Sequence, residues 1–218
     1  MENITHACAF FVLAGFLSGS VMYSYLLPKL VKGIDVRDVS PDRNPGGANA
    51  IRASGIGLGM LCIFLDVCKA FAPVFFAVTY FNIRGVWLVP VVAAPVFGHA
   101  FSPFLKFHGG KAVASFYGAL LALWPVSHVV VLAAVSMFVF KFLIVVQPDS
   151  LGVSVSLLVS CCALFFGEPN PFVRAAFLLA QTAVFYRTVR NPDEGRANVR
   201  IGRHTFPPTE SRPGFRRL

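Results

Sequence analysis

Apolar stretches close to bilayer-crossing length recur from one end of this sequence to the other, and that recurrence restricts the fold more than any motif does. About 20 helical residues cross about 30 Å of hydrocarbon. Backbone in lipid must satisfy its own hydrogen bonds, which leaves helices or closed barrels as spanning structures. With Pro and Gly as punctuation, the stretches fall near 5–27, 53–82, 85–98, 112–125, 126–146, 150–167 and 171–187. Some are short, and the piece from Gly85 to Gly98 and the pair around Pro125 read equally well as bent or half-crossing helices. The expected fold is an all-α integral membrane protein of about seven transmembrane helices, with glycine-rich active-site loops on the cytoplasmic face.

Composition agrees. Only 13% of the residues are charged, against about 25% in soluble domains, so little is left for a separate soluble domain. The expected organisation is one polytopic membrane domain over 1–190 and a basic cytoplasmic tail over 191–218. The first stretch lacks a basic n-region, a small-residue cleavage site and a polar mature domain after it, and reads as a retained span. The five cysteines lie in apolar runs without a C-x-x-C, a pattern of packing residues and not of a metal or disulfide framework.

The net charge of +9 is concentrated in loops and in the tail, which points away from nucleic acid and toward anionic lipid and phosphorylated metabolites. Lys29, Lys32, Arg37, Arg43 and Arg52 flank one loop, Lys106 and Lys111 mark a second, and arginines crowd the chain after Arg187. Basic loops stay cytoplasmic, and with seven crossings all three regions fall on one side. That gives an outside N-terminus and a cytoplasmic C-terminus. No inverted repeat of the kind many transporters carry is visible.

Two of these loops have the makings of phosphate sites. In the first, Gly46 and Gly47 allow close backbone approach, Asn44 and Asn49 supply amides, and Arg52 opens the next helix. Such a helix start with an arginine beside it binds phosphate or carboxylate. A glycine turn with a topology-setting arginine accounts for the same residues. In the second, Gly109 and Gly110 precede Lys111 and an apolar helical run, a short cradle without P-loop spacing. Asp66 and Lys69, three apart in the second span, share a helix face and can pair. An intramembrane pair is either functional or structural. Lys141 is expected to snorkel, and His128 sits near an external turn.

In this order the loops resemble those of the bacterial acyl-phosphate:glycerol-3-phosphate acyltransferases. The first motif is matched by Gly19-Ser20, Asp35 and Arg37, then Asn44-Pro45-Gly46, Asn49 and Arg52. Asp66, Lys69 and Pro73 match the second, and Gly98-His99, Pro103, Phe107 and Gly109-Gly110-Lys111 the third. The resemblance implies transfer of a fatty acyl group from acyl phosphate to the 1-hydroxyl of glycerol 3-phosphate, giving lysophosphatidic acid and phosphate. It implies no metal and no other cofactor, and it places the enzyme in the bacterial cytoplasmic membrane among membrane lipids. By position, Arg52 and Lys111 would bind the acceptor phosphate. Asn44, Gly46, Gly47 and Asn49 would form the donor phosphate loop, with His99, Gly109 and Gly110 in loop two. Ser20, Arg37, Ser40, Asp66, Lys69 and Asn191 would support them.

The sequence departs from that pattern where phosphate is held. A serine is replaced by Asp42, a threonine by Ala48, glycines by Ala70 and Ala112, and a tail histidine by Thr188 or Gly195. Asp42 would repel phosphate unless Arg43 neutralises it or Ser40 replaces the lost donor. The alternatives are a non-catalytic paralogue binding acyl phosphate or lysolipid, an acyltransferase with another phosphorylated acceptor, and a transporter.

Overall fold

A computed structural model describes residues 2–40, 42–193, 197–201 and 204–206. The helices are α1 (Glu2–Ser20), α2 (Tyr23–Lys32), α3 (Gly47–Ser54), α4 (Ile56–Thr79), α5 (Leu88–Ala100), α6 (Val113–Leu121), α7 (Val129–Phe138), α8 (Asp149–Gly167) and α9 (Pro171–Arg190). Four segments among the described residues are long and apolar enough to cross a membrane: Ile4–Lys32, Ile56–Thr79, Gly85–Leu105 and Asp149–Gly167. Helix α9 has 20 residues but carries Arg174, Arg187 and Arg190, and α6 and α7 are shorter.

The helices approach one another closely where side chains are absent. A Cβ added to Gly19 would lie 2.1 Å from the Pro95 carbonyl oxygen, and one added to Gly98 would lie 2.1 Å from that of Phe16. Both glycines therefore serve the α1–α5 crossing, where small residues let backbones meet. Phe116, Leu120, Leu123 and Phe177 are fully buried at the centre with Val74 and Val78. Large apolar side chains such as Phe10, Phe64 and Phe166 point outward, as lipid-facing residues do.

The expected first span, 5–27, is broken between α1 and α2. The break exposes backbone groups that α4 satisfies: Asp66 accepts the Tyr23 and Ser24 N–H groups, each at 3.3 Å, and Lys69 donates to the Val21 carbonyl. The expected span 126–146 also stops early. After α7 comes one π-helical turn, Val139–Leu143, and then strand β1 (Ile144–Gln147). β1 pairs antiparallel with β2 (Asn198–Ile201), Ile144 opposite Ile201 and Gln147 opposite Asn198, and β2 pairs with β3 (His204–Phe206). A β-branched run before Pro148 cannot continue the helix and finds backbone partners in the tail. The helical fold thus carries a small sheet that hydropathy does not announce. Much of the basic tail, including Gly195, Arg196, Arg203, Arg212, Arg216 and Arg217, lies outside the described residues.

Candidate functional site

Loop two is folded back onto the end of α5. The Gly110 N–H donates to the His99 carbonyl at 3.2 Å. A Cβ on Gly109 would lie 2.0 Å from that oxygen, and one on Gly110 would lie 2.6 Å from His99 Nε2. Only glycine fits these two positions. His99 is buried, and its Nδ1 is 2.9 Å from the Ser115 hydroxyl, which donates to the Asp66 carbonyl at 3.2 Å. From α9, Arg187 donates to the Gly109 carbonyl. Lys111 emerges from this support at the entrance to α6.

Loop one meets it through a chain of hydrogen bonds. The Lys111 N–H donates to Asn44 Oδ1 at 3.1 Å. Asn49 Nδ2 donates to the Asn44 carbonyl at 2.9 Å and to Asp42 Oδ1 at 2.8 Å, and Arg52 donates to Asn49 Oδ1 at 2.7 Å. Lys111 Nζ is 2.9 Å from Asp42 and 2.8 Å from Asp193. Burial raises the Asp42 carboxyl, but Lys111 and Asn49 outweigh it and hold the group below its ordinary value. Asp42 is therefore neutralised by Lys111, not by Arg43.

These loops surround a cavity of about 400 Å³. Its polar lining includes Asn44, Gly46, Gly47, Asn49, Arg52, His99 and Lys111, with Asp42, Lys141, Asp149, Ser150 and Asp193. Ile63, Val67, Tyr117, Met137 and Val153 make an apolar wall continuous with it. A polar seat joined to an apolar wall suits a molecule with an anionic head and a hydrocarbon chain. The decisive likeness is to a known family: residues 9–196 match the family model for glycerol-3-phosphate acyltransferase.

The chain belongs to the glycerol-3-phosphate acyltransferase family. It is 40% identical to glycerol-3-phosphate acyltransferase 2 of Thermotoga maritima over 154 residues, 69% of this chain and 74% of the relative. It is 31% identical to the glycerol-3-phosphate acyltransferase of Syntrophotalea carbinolica over 180 residues, 83% and 89% of the two chains. Its fold is similar to the crystal structure of PlsY, an integral membrane glycerol 3-phosphate acyltransferase, in its glycerol 3-phosphate form. The TM-score is 0.73 at 29% identity, covering 84% of this chain and 89% of that one. The lysophosphatidic acid form matches with a TM-score of 0.71. The chain is thus an integral membrane protein of an enzyme family.

Within this family frame the candidate residues separate into two groups. Asn44, Gly46, Gly47, Asn49, Arg52, His99 and Lys111 line one cavity, and Gly109 and Gly110 shape its floor. Arg52 stands in the last turn of α3, not at the start of the following helix. The rest stand apart from the cavity. Arg37 bonds Asp35 at 2.7 Å and stacks over Tyr25 at 4.6 Å. Ser40 bonds the Val36 carbonyl and Ser20 that of Phe16. Asn191 caps α9 through its N–H to Arg187. Asp66 and Lys69 pair at 2.7 Å beneath the site. Thr188, at the expected histidine position, is buried and bonded to the Val184 carbonyl.

Asp193, Asp149, Ser150, Lys141 and Tyr117 line the cavity without having been expected there. Lys141 does not simply snorkel, since it pairs with Asp149 at 2.8 Å. The available signal was slight: Asp193 and its neighbour Glu194 are acids in a mostly basic tail, and Arg187 looks like an ordinary span-end arginine. Among the described residues no cluster of three metal-ligating side chains occurs.

Proposed function

We propose that this membrane acyltransferase uses acyl phosphate as donor and glycerol 3-phosphate as acceptor, with loop one and loop two holding the two phosphates. One observation carries the reading: loops joined by a hydrogen bond between residues 67 apart in sequence converge on a cavity that also has apolar lining. Arg52 and Lys111 are assigned to the acceptor phosphate. Asn44, Gly46, Gly47 and Asn49 are assigned to the donor phosphate, and the wall from Ile63 to Val153 to the acyl chain. The acceptor hydroxyl attacks the acyl carbonyl carbon, the bond to the phosphate oxygen breaks, and the hydroxyl proton leaves with the departing phosphate. Asp42 is an unsuitable base for that proton, because Lys111 and Asn49 favour its ionised form. Rate enhancement on this reading comes from positioning and from cations facing developing negative charge.

The polar end, with both loops and the tail, is assigned to the cytoplasmic side of the bacterial cytoplasmic membrane, and the N-terminus to the outside. Its basic residues support that orientation. The assigned residues of the membrane domain lie within 1–190, and the segment after it follows on the same side.

The test is phosphate release from palmitoyl phosphate by the purified protein, with and without glycerol 3-phosphate, together with mass detection of the acylated product. Release that depends on the acceptor and yields lysophosphatidic acid is expected. Arg52→Ala and Lys111→Ala should each abolish it in protein that remains folded, and full activity in both variants would remove the phosphate assignments.

A further inference from the structure

Asp193 lies three residues past the end of α9, in the segment leading to β2. Its Oδ1 is 2.8 Å from Lys111 Nζ, and its Oδ2 accepts the Ser150 backbone N–H at 2.7 Å. Ser150 stands in the first turn of α8, whose 19 residues direct the positive end of the helix dipole to this point. An ammonium and a helix-start N–H converging on two oxygens is the arrangement that holds a phosphate. Here a carboxylate of the chain itself fills that seat.

Two carboxylates share Lys111, and they are not equivalent. Asp42 is fixed by the Asn44 N–H at 3.2 Å and by Asn49 at 2.8 Å, and its side chain is 6% exposed. The Asp193 side chain is 24% exposed, and beyond the lysine it meets the Asp42 carboxyl and Ser150, whose hydroxyl accepts the Asp193 N–H at 3.2 Å. Asp42 belongs to the fixed frame of the site. Asp193 stands on the short segment that follows α9.

We infer that Asp193 is a tethered competitor of the phosphate substrate: its carboxylate occupies the seat between Lys111 and Ser150 and withdraws when phosphate enters. The segment after α9 then sets substrate affinity. It does so without touching the reacting atoms, because a binding-competent state that is only partly populated weakens apparent affinity by that fraction.

The inference rests on the substrate reading of the cavity, so the test measures binding and not turnover. Glycerol 3-phosphate is titrated calorimetrically into the purified full chain in detergent, for the natural protein and for Asp193→Asn, Ser150→Ala, Asp38→Asn and Lys111→Ala. Asp193→Asn is expected to bind about tenfold tighter, as for a seat filled about nine-tenths of the time. Ser150→Ala loosens the same segment without changing a charge and is expected to tighten binding by a smaller factor. Asp38→Asn removes an equal charge at an exposed position outside the cavity, controls for the general field, and should shift affinity by less than about twofold.

Equal or weaker binding in Asp193→Asn, with binding still lost in Lys111→Ala, overturns the competitor and leaves the substrate reading intact. Tightening in Asp38→Asn equal to that in Asp193→Asn also overturns it, because charge alone would then be the cause. Undiminished binding in Lys111→Ala overturns the substrate reading and this inference with it. Should Asp193→Asn fail to fold, Ser150→Ala decides alone.

Discussion

Lys69 and Lys111 each meet a carboxylate at hydrogen-bond distance, yet they do different work. Lys69 and Asp66 sit one helical turn apart on α4, with side chains 2% and 1% exposed. Their other bonds run to Val21, Tyr23 and Ser24, so the pair closes the broken joint between α1 and α2. Lys111 draws its partners from loop one and from beyond α9, and it lines a cavity. Charges near one another in sequence here build structure. The charges assigned to substrate come from segments far apart, brought to one end of the bundle by the helices. What separates the two lysines is access and the origin of their partners, not pairing itself.

The comparison breaks most readily at Asp66. Asp66→Ala leaves the Lys69 ammonium buried without its partner and strips the acceptors from two backbone N–H groups. The expected loss is about 3–5 kcal/mol of stability, read as a lower melting temperature and a lower yield of folded protein. Replacing both residues with apolar ones of similar size should recover only part of it, since Tyr23 and Ser24 still lack acceptors. Full recovery by the double variant would show that the pair does not serve the joint.

Lys111→Ala is the counterpart. Removing a cation aimed at a phosphate is expected to lower kcat/KM by at least about 100-fold, with a smaller fall in melting temperature than in Asp66→Ala, because the two carboxylates it leaves behind line the cavity. If melting temperature falls as far as in Asp66→Ala, the distinction between the two lysines collapses.

How much of this was legible in the sequence follows from the same contrast. The helical bundle and the gathering of loops at one end were readable, because hydropathy and positive charge report on lipid directly. Gly109, Gly110 and Lys111 were readable as a unit, because two glycines before a lysine restrict local geometry. The break at Val21 was not, since the backbone groups it frees are satisfied by residues about 45 positions later. Residues 144–147 look like the end of a span, and a short apolar run is equally strand or helix until its partner is known. Asp42 read as an obstacle to phosphate because its counter-ion, Lys111, is adjacent only in the folded chain.

A smaller effect belongs to the rim of loop one. The side-chain bond from Arg37 lowers the Asp35 carboxyl from 3.8 to about 2. The stability it contributes is full above the ordinary value and is lost as pH falls through about 2, so acid should loosen this corner only well below pH 4. Asp35→Asn should abolish that part of the acid dependence while leaving kcat unchanged at neutral pH, since neither residue lines the cavity. Proton-linked unfolding followed by intrinsic fluorescence checks it.

The smallest expected effect tests whether a departure from the family pattern has a cost. Ala112 follows Lys111 and begins α6 with φ at +60°, in the left-handed region, where a side chain meets the carbonyl oxygen and glycine does not. Ala112→Gly relieves that strain but adds freedom to the unfolded chain and removes a buried methyl group. These terms oppose one another, so the net change in stability should stay within about 1 kcal/mol. Position matters more than magnitude here. The alanine follows the lysine at the cavity, where the Asn44 amide oxygen accepts the Lys111 N–H. A glycine that leaves melting unchanged but weakens glycerol 3-phosphate binding would mean that the alanine stiffens the Lys111 seat, whereas unchanged binding would mean that the Asn44 bond alone fixes it.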